Sequence, residues 1–269
     1  MNLYASLDAV KRALRISSTA HDAYLLEVLE GASRAVDNYC RRHFYTLQET
    51  RYFGVTHPCQ VLIDDVLSVS AVGADSECDG TFDGEAWVEG TDYVLQPRHK
   101  WPKYELRPHK NSDKGLWIDR EYLKITGTWG YGDGVSANPW RAAGVTLTVA
   151  DGTSTTGTLS ASGAVSAGET LQVGSEQVYV ESVSGTTATI RRAMNGTTAA
   201  AHSATAVYRA IYPAGVTRFT VALASEEYQL RTARGVRQEM LGTHQVMYAA
   251  QDDRIFQRAL RAYRRATTN

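Results

Sequence analysis

The chain has no long apolar run. No stretch in it could cross a bilayer as a helix. The first residues, MNLYASLDAVKRAL, lack the apolar segment of a secretion signal and read as a short capped helix. There are 3 cysteines in 269 residues: Cys40, Cys59 and Cys78. An odd count without a secretion signal predicts reduced thiols and assembly in a cytoplasm. Net charge is also nearly missing. Formal charge is −1, so the chain as a whole has no basic attraction to nucleic acid or to anionic lipid, and no membrane partner is expected.

Catalytic signatures are missing too. There is no G-x-S-x-G elbow, and nothing places a Ser, a His and an acid together. Gly130–Gly134 (GYGDG) has glycines but no Gly-Lys-Ser/Thr ending, and no helix follows it directly, so it is not a phosphate loop. Asp64, Asp65 and the acids from Asp75 to Glu89 lack the spacing of a calcium loop and read as solvated turns. Cys40, His43, His57 and Cys59 could form a zinc set by residue type. Cys40-x2-His43 is a reasonable ligand spacing, but buried or surface structural roles are the expectation for all four. Asn195-Gly196-Thr197 reads as a turn. The expectation is no enzyme, no cofactor and no metal.

What the chain does have is a long amphipathic helix, expected over Ala20–Phe44. Leu25, Leu29, Ala32, Val36 and Tyr39 recur every three or four residues and make one apolar face. Glu27, Glu30, Arg34, Asp37 and Arg41 fall on the other side. Glu30–Arg34 and Asp37–Arg41 are acid-before-base pairs four apart. This alternation suits water or a neighbouring copy of the chain, and these five are the candidate inter-subunit or channel-facing residues.

A shorter helix, Ser6–Leu14, precedes it. Strands are expected at 50–55, 60–63, 68–72, 93–95, 104–106 and 122–129, with 87–88 as a further candidate. From about Gly144 to Tyr212 the composition changes. Gly, Ala, Ser, Thr and Val dominate, and lysine is absent. Alternating runs at 145–149, 169–173, 177–183, 188–192 and 206–211 predict an all-β unit, a sandwich or small barrel. Helix returns at Pro213, a favourable first position. Residues 236–251 read as extended or looped. A last helix is expected from Asp252, with Arg254, Arg258, Arg261 and Arg265 on one stripe and Phe256, Leu260 and Tyr263 opposite. The fold class is therefore α+β: a helical core with short antiparallel strands, interrupted by an inserted all-β domain. The expected division is 1–143, 144–213 (inserted) and 214–269.

The order of these pieces resembles the head–tail adaptor (connector) proteins of tailed bacteriophages. Four segments carry the likeness: LDAVKRALRI with DAYLLEVLEGASRAVDNYCRRHF; TDYVLQP with YELRP; YLKITGTWGYG followed by a proline; and GVRQEMLGTHQVMYA followed by a helix ending in AYRR. The departure is the β unit, since simpler adaptors pass almost directly from the GYG strand to the next helix. That segment is similar to small β modules appended to other phage virion proteins.

The resemblance implies a structural virion protein of the neck. It would form a ring matched to a dodecameric portal, joining capsid to tail and continuing the DNA channel. Implied partners are the portal protein, neighbouring copies of the chain, a head–tail stopper or tail-completion protein, and genomic DNA passing without sequence-specific binding. In this family the C-terminal helix docks into the portal. The portal-docking role would fall on Arg254, Phe256, Arg258, Leu260, Arg261, Tyr263, Arg264 and Arg265. A rival reading makes the β unit a surface-recognition module for carbohydrate or protein. Its few aromatics, Tyr179, Tyr208 and Tyr212, offer little stacking surface for sugars.

Overall fold

A computed structural model describes residues 1–75, 77, 79–82, 86–118, 121–233, 238–241, 244–247 and 260–265. Three helices, a five-stranded sheet and a closed six-stranded barrel make up most of it. The class is α+β with an inserted β unit, as expected from the change in composition.

Helix α1 spans Leu7–Leu14. The Ser6 hydroxyl accepts from the Ala9 N–H at 3.2 Å and caps its first turn. Helix α2 spans Asp22–Cys40 and buries Leu25, Val28, Leu29, Ala32, Ser33, Val36 and Cys40. It stops short of Phe44 because Arg41 takes a left-handed conformation (φ 55°) and turns the chain. Helix α3, Ala214–Ala233, packs on α2 and buries Val216, Phe219 and Ala224. Its early register is set inside the core, where the buried Thr220 hydroxyl donates to the Val216 carbonyl at 3.0 Å.

The sheet is antiparallel, in the order β1-β5-β2-β4-β3. Its strands are β1 (Leu47–Gly54), β2 (Val61–Ala74), β3 (Tyr93–Gln96), β4 (Lys103–Pro108) and β5 (Glu121–Trp129). Two strands expected at 60–63 and 68–72 are one. β2 continues through Asp64 and Asp65, which are therefore not in a turn. Irregular pairing between Val66 and Ser68 and between Val69 and Ala71 interrupts the alternation that would have shown its continuity. Trp87 is buried in the sheet core but lies outside any strand. Trp129 is fully buried, and its indole N–H donates to the Glu49 carbonyl at 2.9 Å. Gly130 ends β5 at φ 132°, where a side chain would stand 2.0 Å from the Tyr45 carbonyl oxygen.

The barrel closes in the order β10-β7-β6-β11-β8-β9. It comprises β6 (Trp140–Val149), β7 (Thr156–Leu159), β8 (Thr170–Val173), β9 (Glu176–Ser184), β10 (Thr187–Arg191) and β11 (His202–Ala210). Alternate apolar residues fill it, among them Leu147, Leu159, Leu171, Val178, Val180, Ile190 and Val207. First and last strands pair, with Trp140 opposite Ala210, and the Ile211 N–H donates to the Pro139 carbonyl at 2.8 Å. Entry and exit are thus adjacent, which is what an insertion into a host loop requires.

The barrel is docked firmly on the host. Asn2 and Asn195 exchange side-chain hydrogen bonds at 2.9 and 3.0 Å. Asn195 also donates to Gln177 at 2.8 Å, and Gln177 donates to the Thr46 hydroxyl at 3.0 Å. Tyr179 of β9 is buried within the helical cluster formed by α1, α2 and α3. A buried polar network of this kind holds one orientation, because any other would leave its amides unpaired.

Two further strands, β12 (Gln238–Leu241) and β13 (His244–Met247), form an antiparallel hairpin in the stretch expected to be extended.

Candidate functional site

The ends of the chain meet at the C-terminus of α2. Tyr4, Val36, Cys40, Phe44, Val216, Phe219 and Leu260 form one buried cluster, flanked by Tyr131, Tyr212 and Tyr263. Tyr263 meets Phe44 and Tyr131 edge-on at 6.1 and 6.0 Å between ring centroids. The Cys40 thiol is buried against the Leu260 carbonyl at 3.9 Å, and burial raises its pKa to about 11. It is a packing residue, not a nucleophile.

Polar groups ring this cluster. The Tyr4 hydroxyl donates to the Asp37 carboxylate and accepts from the Phe44 N–H at 3.0 Å. Burial raises the Asp37 carboxyl to about 6, against the pull of Tyr4 and Arg34. Arg34 pairs with Asp37 at 3.2 Å, donates to the Asn2 carbonyl at 2.7 Å, and lies over the rings of Tyr4 and Tyr45. Two of the five candidate residues on α2 are therefore occupied inside the protomer. Glu27 and Arg41 are exposed, and Glu30 is half-buried. Glu27 lies on an open groove of about 600 Å³ between α2 and α3, beside Gly31, Ala35, Leu223, Glu227 and Arg231.

The C-terminal segment is hooked onto this region. The Arg265 N–H donates to the Cys40 carbonyl at 2.9 Å. Its guanidinium pairs with Asp64 and donates to the Ile63 carbonyl at 3.0 Å. Arg51 shares Asp64 at 2.8 Å. Burial alone would raise Asp64, but Arg265 and Arg51 outweigh it and hold the carboxyl below its usual range. The neighbouring Asp65 points the other way along the pleat and meets Arg42 at 3.4 Å. There burial dominates and raises its pKa.

Of the eight candidate docking residues, Leu260 is buried, Tyr263 and Arg265 are half-buried, and Arg261 and Arg264 are exposed. Arg264 lies over the Tyr39 ring at 5.7 Å. Arg254, Phe256 and Arg258 lie outside the described residues.

Sequence reasoning missed the anchor of this hook, Asp64, and the charged groups around it, Arg51, Asp65 and Arg42. The two aspartates had a signal: they sit in a β-branched run, where adjacent residues face opposite sides.

The zinc candidates are not brought together. Cys40 is buried in the core and His43 is half-buried, whereas His57 and Cys59 are exposed at the β1–β2 turn. Burial, then Arg51, lowers the His43 pKa to about 4, so it stays neutral. Among the described residues no three His, Cys, Asp or Glu side chains cluster as metal ligands, and no helix is long and apolar enough to cross a membrane.

Residues 4–68 match the family described as phage gp6-like head-tail connector protein. No curated protein and no solved structure matches the chain. The matched span runs through α1, α2, β1 and the first half of β2, so it contains Tyr4, Arg34, Asp37, Cys40 and Asp64. It supplies the floor on which the C-terminal segment rests. Residues 4–68 are thus similar to phage head-tail connector proteins, and in this chain a six-stranded barrel is inserted between the sheet that follows and the third helix.

Proposed function

We propose that copies of this chain form a ring between portal and tail and continue the DNA channel across the neck. The carrying observation is the connector-family match over α1 and α2. Twelve copies would match a dodecameric portal. A stopper or tail-completion protein would meet the opposite face.

The C-terminal arm is the portal-facing part in this reading. Leu260, Tyr263 and Arg265 hold its base on the protomer, which leaves Arg254, Phe256, Arg258, Arg261 and Arg264 to reach portal side chains. Charge-assisted contacts of this sort set orientation and encounter rate more than net affinity. On α2, Glu27, Glu30 and Arg41 serve neighbouring copies, while Arg34 and Asp37 act indirectly by fixing the N-terminal segment. The barrel, read as the separable unit 144–213 between host parts 1–143 and 214–269, stands outside the ring, since a body of that size would obstruct a channel.

Cryo-electron microscopy of the protein mixed with the portal protein of the same phage tests this. The expected result is a ring of this chain beneath the portal with 252–265 in contact. No association at low salt defeats it. Charge reversal at Arg258 and Arg261 should weaken portal binding and flatten its salt dependence. If neither changes, the arm assignment is wrong. Replacing 144–212 by a short Gly/Ser bridge should leave ring assembly intact.

A further inference from the structure

The loop between β3 and β4 reads Pro97-Arg98-His99-Lys100-Trp101-Pro102. Three consecutive residues, Arg98, His99 and Lys100, are exposed. None of them has an ion-pair partner among the described residues. The loop is nevertheless built. Lys103 is 7% exposed, and its ammonium donates to the carbonyls of Pro97 and Arg98 at 2.6 and 2.8 Å. The same ammonium lies 4.2 Å from the centroid of the Trp101 ring. A buried lysine thus holds the turn closed and leaves the next cations facing outward.

These residues wall one side of an open cleft of about 590 Å³. Arg42 and Tyr131 wall another side, with the Arg42 guanidinium 4.8 Å from the Tyr131 ring centroid. Tyr104, 48% exposed, completes it. No carboxylate lines the cleft among the described residues. On a chain of formal charge −1, this is a local concentration of positive charge beside ring faces.

Cations alone would suit any anion, including an acidic protein surface. Cations interleaved with accessible aromatic faces in a concave site suit a polynucleotide, whose phosphates take the charge and whose bases stack. We propose that this cleft is a nucleic-acid backbone site, in which Arg98 and Lys100 meet phosphates and Trp101 and Tyr104 offer ring faces. That the nucleic acid is the phage genome rests on the connector reading, whereas the cleft chemistry does not.

Fluorescence anisotropy on the full chain tests this, using a labelled oligothymidylate and a labelled duplex of equal length over a salt series. Wild type should bind at low salt and weaken as salt rises. Arg98→Ala with Lys100→Ala should weaken binding about tenfold or more and make the log–log salt slope shallower by roughly 1.5 for two lost phosphate contacts. Tyr104→Ala should cost the single strand at least about fivefold if stacking operates. Arg12→Ala with Arg218→Ala, both exposed elsewhere, should change nothing. Unchanged melting temperatures would show that the variants fold.

The proposal fails if wild type does not bind at low salt, or if the Arg98/Lys100 pair behaves like the Arg12/Arg218 pair. It also fails if polyglutamate displaces the label as well as unlabelled DNA does, which would mark an acidic-protein site. Portal binding measured in parallel separates the two readings. Its absence in wild type strikes the connector reading, and its retention in the Arg98/Lys100 variant leaves the cleft as the only part altered.

Discussion

Arg265 reaches across 201 positions of sequence to place its guanidinium on the Asp64 carboxylate. The pair ties the C-terminal segment to the second strand of the sheet. Arg51 shares the same carboxylate, so Asp64 is held between two cations from opposite ends of the chain. The pair is partly exposed, and its contribution to overall stability is accordingly small.

Local effects should exceed global ones there. Asp64→Ala should cost only about 0.5–1 kcal/mol in overall stability. It should nonetheless free the C-terminal segment, which limited trypsin digestion would detect as faster cutting after Arg261, Arg264 or Arg265. Unchanged cutting would mean that Leu260 and Tyr263 hold the segment without the ion pair.

Asp37 gives a pH signature. Burial lifts its carboxyl to about 6 in the folded protein, against about 4 in an unfolded chain. Between these values the folded state holds the extra proton, so this group's contribution to stability falls as pH rises through the window. The Asp37→Asn variant cannot ionise and keeps an acceptor for the Tyr4 hydroxyl. Its melting temperature relative to wild type should therefore climb between about pH 4 and pH 6.5. A flat difference across that range would contradict the assignment.

The barrel has an ionic lock. Glu176 is fully buried and accepts from Arg192 at 2.8 Å through each oxygen, from His202, and from the N–H groups of Ala193 and Ala200. Burial alone would raise its pKa, but these bonds outweigh burial and hold it at about 2. Its contribution is present above the unfolded value of about 4.3 and is lost as pH falls toward about 2. Glu176→Gln strands the Arg192 charge and should cost about 3–5 kcal/mol, read as a lower calorimetric melting temperature.

Gly196 sits against the host strand β1. It adopts φ 78°, and an added Cβ would lie 1.9 Å from the Gln48 carbonyl oxygen. Gly196→Ala should therefore cost about 2 kcal/mol or more and push barrel and host apart. Hydrogen exchange should rise around Thr46, Gln177 and Asn195. If exchange there stays at the wild-type level, the docking does not depend on this contact.

Much of the molecule follows from local pattern. The spacing of Leu25, Leu29, Ala32 and Val36 determined α2 and its buried face, because a helix repeats every 3.6 residues whatever packs on it. The Gly-, Thr- and Val-rich alternation after residue 144 determined an inserted β unit. The order of helices and strand motifs carried the resemblance to connector proteins, and residues 4–68, which hold the first of those motifs, match that family's model.

Barrel closure was decided in three dimensions. It depends on the short β7, Thr156–Leu159, bridging β6 and β10, and four residues carry too little periodicity to be seen alone. The fate of Asp64 and Asp65 was decided there too. Side chains one residue apart on a strand face opposite ways, so one meets Arg265 and the other Arg42, partners that no local window contains. The same holds for Asn2 with Asn195, and for the basic loop at Arg98–Lys100 facing Arg42. Periodicity is a property of neighbouring residues and survives in the sequence. Charge pairing and amide pairing across tens or hundreds of positions exist only once the chain has closed on itself.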